Sequence, residues 1–230
     1  MANKVGNFIF SCGVTNAEFL RIRHLVWKRN RRILRTTSLI ASVMGLLFFL
    51  YTMLITHGDT WLPYLILFIG STIIYVLAIV NLFPREATAP NMILCYAQMV
   101  LLCTYAIILS VQKSNFDIPA TSIVVFASLL PLSIDDRPIR MYGFMLTVSA
   151  SYLVVSHFFK NPSIFQLDIM NMGTFVLIGA ILYGFICVRN IREINTSVKV
   201  EQIQREVITA LATVVEERDE STGAHIVRSG

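Results

Sequence analysis

Residues 168–188 read DIMNMGTFVLIGAILYGFICV, an apolar run long enough to cross the hydrocarbon core of a bilayer, which is about 30 Å thick. The sequence then turns polar, and neither Gly nor Pro occurs between Val188 and Ser221. At about 1.5 Å of rise per residue, these roughly 30 residues extend the helix about 45 Å beyond the membrane. We therefore expect one rod that joins a membrane span to a cytoplasmic segment.

Five further apolar runs of similar length precede this one, at about 37–56, 61–83, 91–111, 118–134 and 139–158. The chain is 55% hydrophobic, its mean hydropathy is +0.66 and only 14% of its residues are charged, which excludes an ordinary soluble domain. Because the links between the runs are short, consecutive helices must be antiparallel neighbours. The sequence predicts an all-α membrane protein with a six-transmembrane-helix bundle at 37–188.

The distribution of Lys and Arg predicts the orientation of this bundle. One set of helix ends carries the N-terminal basic cluster and Arg85, Arg137, Arg140, Arg189 and Arg192, whereas the other set carries Lys113 and Lys160. Cytoplasmic loops are the ones enriched in positive residues. We therefore expect both termini in the cytoplasm.

The N-terminal region, 1–36, contains a cationic amphipathic helix. Apolar positions such as Phe19 and Val26 alternate with the basic cluster, which consists of Arg21, Arg23, Lys28, Arg29, Arg31, Arg32 and Arg35. Beside a membrane span, such a helix indicates contact with anionic lipid, at about 1 kcal/mol for each basic residue, and not with nucleic acid. The alternative is that this helix packs on the cytoplasmic extension of the last span.

The cytoplasmic extension, 189–219, is predicted to form a coiled coil. A first apolar run holds Ile191, Ile194 and Val198, and a second run, out of phase with the first, holds Val200, Ile203, Val207, Ala210 and Val214. Heptads with such a skip are typical of a parallel coiled coil with local over- or underwinding. We expect a homodimeric stalk, and the alternative is a single amphipathic helix that rests on its neighbours.

The tail of the chain carries a pattern of fixed positions, Leu211, Val215, Glu216, Arg218, Asp219, Thr222, His225 and Arg228. This pattern resembles the opening signature of the HD-GYP phosphodiesterases, in which a helix ends in E-x-R-D and T-x-x-H-x-x-R follows. Residues 221–223 are expected to interrupt the stalk helix, with Thr222 as the N-cap of a new helix. Residues 220–230 would then begin an HD-GYP-like output domain.

The resemblance implies a chemistry for the parent protein more than for this segment. It gives His225 the role of a metal ligand and implies a metal-dependent cyclic di-GMP phosphodiesterase, with iron or manganese in its output domain, in the inner membrane of a bacterium. The His-Asp and Gly-Tyr-Pro motifs are absent from these 230 residues. One imidazole does not make a metal site, so the segment is expected to bind no cofactor and to be inactive alone.

The ligand that such a bundle would sense is not specified by the sequence. His57 and His157, with Trp61 and Phe158, fall at predicted outer ends, where they could line a ligand pocket or simply meet water in an aromatic belt. In the last span, Ala180-x-x-x-Gly184 allows close helix approach, either within the bundle or in a dimer.

Asp135 and Asp136 form a corner between two spans and could bind a metal, contact Arg140 or serve as turn residues before Pro138. The predicted spans hold almost no ionisable residue at mid-depth, a feature that transporters and pumps generally need. A sensory or anchoring module is therefore favoured over the alternative, a small transporter or channel. No convergent catalytic set supports a membrane-embedded enzyme.

Overall fold

The computed structural model describes residues 12, 14–56, 61–80, 88–112 and 116–228. Its regular structure in these residues is entirely helical, which confirms the all-α prediction. A π-helical turn, Thr52–Thr56, follows the first helix, and a 3-10 turn, Leu130–Ser133, follows the fourth. The helices are α1 Asn16–Tyr51, α2 Leu62–Val80, α3 Thr88–Ser110, α4 Thr121–Leu129, α5 Pro138–Phe159 and α6 Pro162–Arg228.

Five helices in the described residues, namely α1, α2, α3, α5 and α6, are long and apolar enough to cross a membrane. The segment predicted as the fourth span is shorter, because α4 and its 3-10 turn cover only Thr121–Ser133. Pro131 sits at the start of that turn and cannot donate a helical hydrogen bond. The structure thus shows five long apolar helices and one short one.

Helix α1 begins with a capping box, in which the Thr15 hydroxyl accepts from the Glu18 amide and the Glu18 carboxylate accepts from the Thr15 amide. It then continues for 36 residues without a break, so the basic region and the first apolar run form one helix. The apolar face of the basic region, including Ile22 and Val26, is buried in the main core cluster. That cluster also contains Ile191 of α6, as the alternative of packing on the cytoplasmic extension predicts.

Helix α6 is the longest element, with 67 residues from Pro162 to Arg228. The predicted interruption at 221–223 is wrong, because the helix continues through these residues. A glycine inside a helix costs only about 1 kcal/mol relative to alanine, so Gly223 alone does not end it. Bundle and tail are therefore joined by one continuous helix.

The small residues of α6 serve different neighbours. A Cβ atom added to Gly179 would lie 2.8 Å from the backbone oxygen of Ser128, so the absent side chain lets α6 approach α4 closely. Ala180 and Gly184 instead line an apolar groove beside Tyr142 of α5. Close packing within the bundle thus depends on Gly179, which lies beside the motif noted in the sequence.

Candidate functional site

The corner at 134–137, between α4 and α5, lies at the end of the bundle where α6 leaves it, which we call the stalk end. The 3-10 turn stops at Ser133, and Pro138 occupies the first turn of α5, so the backbone between them is extended. Extended backbone in a buried corner needs hydrogen-bond partners outside its own helix. Side chains of α1 and α6 and the Cys12 thiol supply them, while side chains of α3 and α5 contact the Asp136 carboxylate. We call this set of contacts the polar junction.

Asp135 is held by α1 and α6. The fully buried Asn30 side chain donates to the Asp135 carbonyl at 2.8 Å and accepts from the Asp135 amide at 3.0 Å. Asn190 of α6 donates to Oδ1 of Asp135 at 2.9 Å. The Arg29 guanidinium lies 3.3 Å from Oδ2, where it supplies charge without a well-aligned hydrogen bond. A single residue thus connects the basic part of α1 to the point where α6 leaves the bundle.

Asp136 connects the corner to α3, α5 and α6. Its carboxylate accepts a hydrogen bond from the Tyr96 hydroxyl at 2.7 Å and lies 3.4 Å from Arg140, a contact that was one of the alternatives left open by the sequence. The Tyr183 hydroxyl donates to the Asp136 carbonyl at 2.7 Å and lies 3.2 Å from the Asp136 amide, which can donate to it. Both backbone polar groups of Asp136 are therefore satisfied by α6.

Two cysteines complete the junction. The sulfur of Cys12 lies 2.7 Å from that of Cys187, and both thiols point to the Asp136 carbonyl, at 3.5 Å and 3.3 Å. The contact with Cys187, together with burial, raises the pKa of the Cys12 thiol. A protonated thiol is a poor nucleophile and metal ligand, so Cys12 serves here as a hydrogen-bonded contact to Cys187.

The electrostatics of the junction depend on Asp135, which is only 3% exposed. Burial raises the pKa of its carboxyl group, and the Asn190 hydrogen bond and the Arg29 charge counteract this shift only in part. A cavity of ≈ 90 Å³ adjoins Asp135 and is also lined by Arg23 and Arg140. Its size and charged walls suit a few water molecules between the carboxylate and the guanidinium groups.

Beyond the junction, α1 and α6 form a second set of contacts, which we call the clamp. Glu18 pairs with Lys199 at 2.8 Å, and Arg21 donates to Gln202 at 2.7 Å. The clamp explains the phase shift in the stalk sequence, because the first apolar run packs toward α1 and the core. Ile191 is fully buried in this cluster, and Ile194 and Val198 pack against it. The two runs therefore occupy different faces of one helix.

The second apolar run is exposed along its whole length. Val200, Ile203, Val207 and Val214 are 47%, 58%, 52% and 60% exposed, and Ala210 is also exposed. Apolar side chains at this spacing on a helix that projects beyond the bundle are expected to be covered by a partner. The homodimeric stalk stays a prediction for these residues.

At the opposite end of the bundle, a buried ion pair joins α5 and α6. Lys160 lies 2.9 Å from Asp168, and both side chains are completely inaccessible to solvent. Asp168 also accepts hydrogen bonds from the Ala120 amide, at 2.8 Å, and from the Tyr152 hydroxyl. Lys160 donates a further bond to the Ile118 carbonyl at 2.8 Å. These contacts fix the beginning of α4 to the turn between α5 and α6.

Of the residues predicted to line a ligand pocket at the outer ends, the structure describes Trp61, His157 and Phe158. His57 lies outside the described residues. Trp61 packs edge-on against Phe49, with ring centroids 6.2 Å apart, and the His157 ring contacts its neighbour Phe158. Phe158 is 77% exposed, so it forms no wall of an enclosed site. The pocket stays a prediction.

The predicted metal ligands are His225 and, as one alternative, the pair Asp135 and Asp136. His225 belongs to α6, but its side chain lies outside the described part of the structure. Among the residues whose side chains are described, no group of three or more His, Cys, Asp or Glu could hold a metal ion. Asp135 and Asp136 are engaged by amide, hydroxyl and guanidinium groups, which fits the expectation of contact with Arg140 better than that of a metal pair.

Comparisons of the chain with protein-family models, with curated proteins and with solved structures returned no match. The geometry of the junction, the clamp and the exposed stalk face therefore carries the functional argument.

Proposed function

We propose that the chain is a membrane sensory or anchoring module that transmits a signal through a dimeric helix to a cytoplasmic HD-GYP-like cyclic di-GMP phosphodiesterase domain. In this proposal six helices, including the short α4, cross the inner membrane of a bacterium, and both termini are cytoplasmic. The domain would begin within 220–230, where His225 matches a metal-ligand position of the family. Iron or manganese would bind in that domain and not in the bundle.

The observation that carries the proposal is the continuity of α6 from the bundle to the tail. Tyr183, Cys187 and Asn190 tie this helix to the corner at the stalk end, and the exposed run beginning at Val200 follows about three turns after Asn190. A change in how the bundle packs at the corner therefore acts on the same helix that carries the apolar stalk face. No second element is needed to pass the change onward.

The mechanism is a bias between two packings of α6. A ligand or membrane state shifts this equilibrium only by the difference in its affinity for the two packings. Moving the population from almost entirely one packing to the other needs about 5.5 kcal/mol of such difference. The clamp and the polar junction are the contacts that would differ between the packings.

The phosphodiesterase part is tested in the natural protein by reading the sequence that follows Gly230 and by assaying cyclic di-GMP hydrolysis in membranes. His-Asp and Gly-Tyr-Pro motifs, with metal-dependent release of the linear dinucleotide, are the expected result. Insertions of one to seven alanines after Gln204 then test transmission, because each inserted residue rotates the output by about 100°. The rate of hydrolysis should vary with the number of inserted residues at the helical period. A rate that does not depend on the length of the insertion would contradict transmission through α6.

The dimeric stalk is tested separately by cysteine substitutions at Ile203 and Val207 in membranes. In a parallel dimer these positions face their own copies across the axis, so mild oxidation should link two chains. The four native cysteines are buried, which makes the unsubstituted chain a suitable baseline. Absence of linked dimers at both positions would remove the dimeric mechanism.

A further inference from the structure

We propose that the dimer contact of α6 is not confined to the stalk but continues into the membrane along one face, where it meets the same face of a second copy. The inference rests on the proposed function, since it extends the interface of the dimeric stalk. It names the membrane residues of that interface and the partner they fit.

The spacing of exposed residues on α6 carries this inference. Upstream of the stalk, Phe175, Ile178, Leu182 and Phe185 follow one another at intervals of three and four residues, and they are 47%, 47%, 42% and 73% exposed. The same alternation continues through the exposed residues Arg189, Arg192 and Thr196 and then into the second apolar run at Val200. We call this continuous face the seam.

One irregularity in the spacing keeps the seam on a single side of the helix. Two successive intervals of four residues occur, from Arg192 to Thr196 and from Thr196 to Val200. A strict heptad drifts by about 20° per repeat relative to an ideal α-helix, and an extra four-residue step reverses that drift. The stalk face and the membrane face are therefore parts of one stripe on a nearly straight helix.

The seam faces away from the rest of the bundle. Met172, Tyr183, Cys187 and Ile191, which are at most 1% exposed, occupy the opposite side of α6 and pack into the core clusters. The seam thus lies within the broader face of α6 that the fold of a single chain leaves uncovered.

A second copy fits this seam better than lipid does. Lipid tails accept any apolar surface and impose no three-four spacing, and they cannot cover the part of the seam that extends into water. A partner helix must also have its extra four-residue interval at the same position along the axis as this helix, between Arg192 and Val200. The same helix in a parallel dimer meets that condition by symmetry.

The area of the seam is consistent with this partner. From Phe175 to Val214 the seam is about 60 Å long, and a strip about 10 Å wide on each of two helices buries roughly 1,200 Å². That area reaches the size of stable protein interfaces.

The small-residue motif of α6 lies on a different face. Gly173 and Ala180 line a groove of ≈ 450 Å³ between α5 and α6, together with Leu177. Nothing lies within 4 Å of a Cβ atom added to Gly173, so this groove is open. Leu177 is 63% exposed and adjoins Ile178 in sequence but not on the helix surface, which makes it a matched control.

The experiment is oxidative crosslinking of the chain in native membranes with single cysteines at Ile178, Leu182 and Phe185. Leu177→Cys is the control in the membrane, and Thr209→Cys, which lies on the side of the stalk opposite Val207, is the control in the stalk. In a preformed dimer the two thiols have an effective concentration in the millimolar range. We expect the seam positions to form disulfide-linked dimers at least about tenfold faster than the control positions.

The outcomes separate this inference from the function on which it rests. Linking at Ile203 and Val207, with the three membrane positions no faster than Leu177→Cys, would overturn the continuous seam but leave the dimeric stalk intact. Linking at Leu177→Cys as fast as at Ile178→Cys would likewise overturn it, because the contact would then not follow this face. Failure at Ile203 and Val207 would remove the stalk itself.

Discussion

Removal of Asp168 should strongly destabilise the end of the bundle opposite the stalk. Asp168→Ala leaves the buried ammonium group of Lys160 without its counter-ion, a loss that typically costs about 3–5 kcal/mol. It also leaves the Ala120 amide and the Tyr152 hydroxyl without their acceptor, at about 1–3 kcal/mol each. After partial relaxation we expect the free energy of unfolding to fall by about 5 kcal/mol.

Lys160→Met should cost less, although it breaks the same ion pair. The Asp168 carboxylate keeps two hydrogen-bond donors in this variant, and the methionine chain fills most of the volume of the lysine. We expect a loss of about 3 kcal/mol. The double variant Lys160→Met/Asp168→Leu removes both charges, so its loss should fall short of the sum of the single losses by about 2 kcal/mol or more.

These free energies are measured by reversible unfolding in mixed micelles with increasing SDS, followed by far-ultraviolet circular dichroism. Gln166→Ala is the control, because Gln166 is exposed and lies only two residues from Asp168. Its free energy of unfolding should stay within about 0.5 kcal/mol of the parent. A loss for Asp168→Ala below about 1 kcal/mol, or strictly additive single losses, would refute the buried ion pair.

Three further predictions concern the junction and the packing of α6. Asn30→Ala removes both hydrogen bonds to the Asp135 backbone and should cost about 2–4 kcal/mol in the same SDS titration, with exposed Arg32→Ala as the control that it must exceed. Burial raises the pKa of Asp135 above its value in the unfolded chain, so ionisation of Asp135 lowers the free energy of unfolding of the parent. This loss is absent below the unfolded-state pKa and is complete above the folded-state pKa. The stability of Asp135→Asn relative to the parent should therefore increase with pH, and a difference that is constant or falls with pH would contradict this account. Gly179→Ala should lose about 1–3 kcal/mol because its Cβ would lie 2.8 Å from the backbone oxygen of Ser128, whereas Gly173→Ala, in open space, should be neutral or stabilising.

Hydropathy and spacing predicted the helical class and the long apolar helices, because both depend on local composition. They placed a span at 118–134, where the structure has a short helix. Pro131, inside that run, was the available signal for the shorter helix. The break expected at 221–223 came from turn-forming residues, whose weak local preference did not outweigh the helix on either side.

The polar junction could be predicted only in small part. Contact of Asp136 with Arg140 follows from their spacing of four residues in one chain segment. Asn30 and Asn190 meet Asp135 across 105 and 55 residues of sequence, and no local pattern encodes such pairings. A signal for Asn30 did exist, since it continues the apolar stripe of Ile22 and Val26 at intervals of four residues. A polar residue within an apolar stripe indicates a buried hydrogen-bond partner.

The ion pair between Lys160 and Asp168 illustrates the same limit. Each residue alone is typical of a helix end that meets water, and neither sequence neighbourhood indicates complete burial. Only the packing of α4 against the turn between α5 and α6 removes both groups from solvent.

The ion pair and the exposed stalk face belong to opposite extremities of α6, a rod about 100 Å long at 1.5 Å per residue. Asp168 lies near its first turn, and the positions that resemble the phosphodiesterase signature lie in its last turns. In the proposed topology, an event on the far surface of the membrane that displaces Asp168 would act on one end of a continuous helix whose other end lies on the opposite side. The stiffness of a single helix, and not a series of rearrangements, would then determine how much of a displacement at one end of α6 reaches the other end.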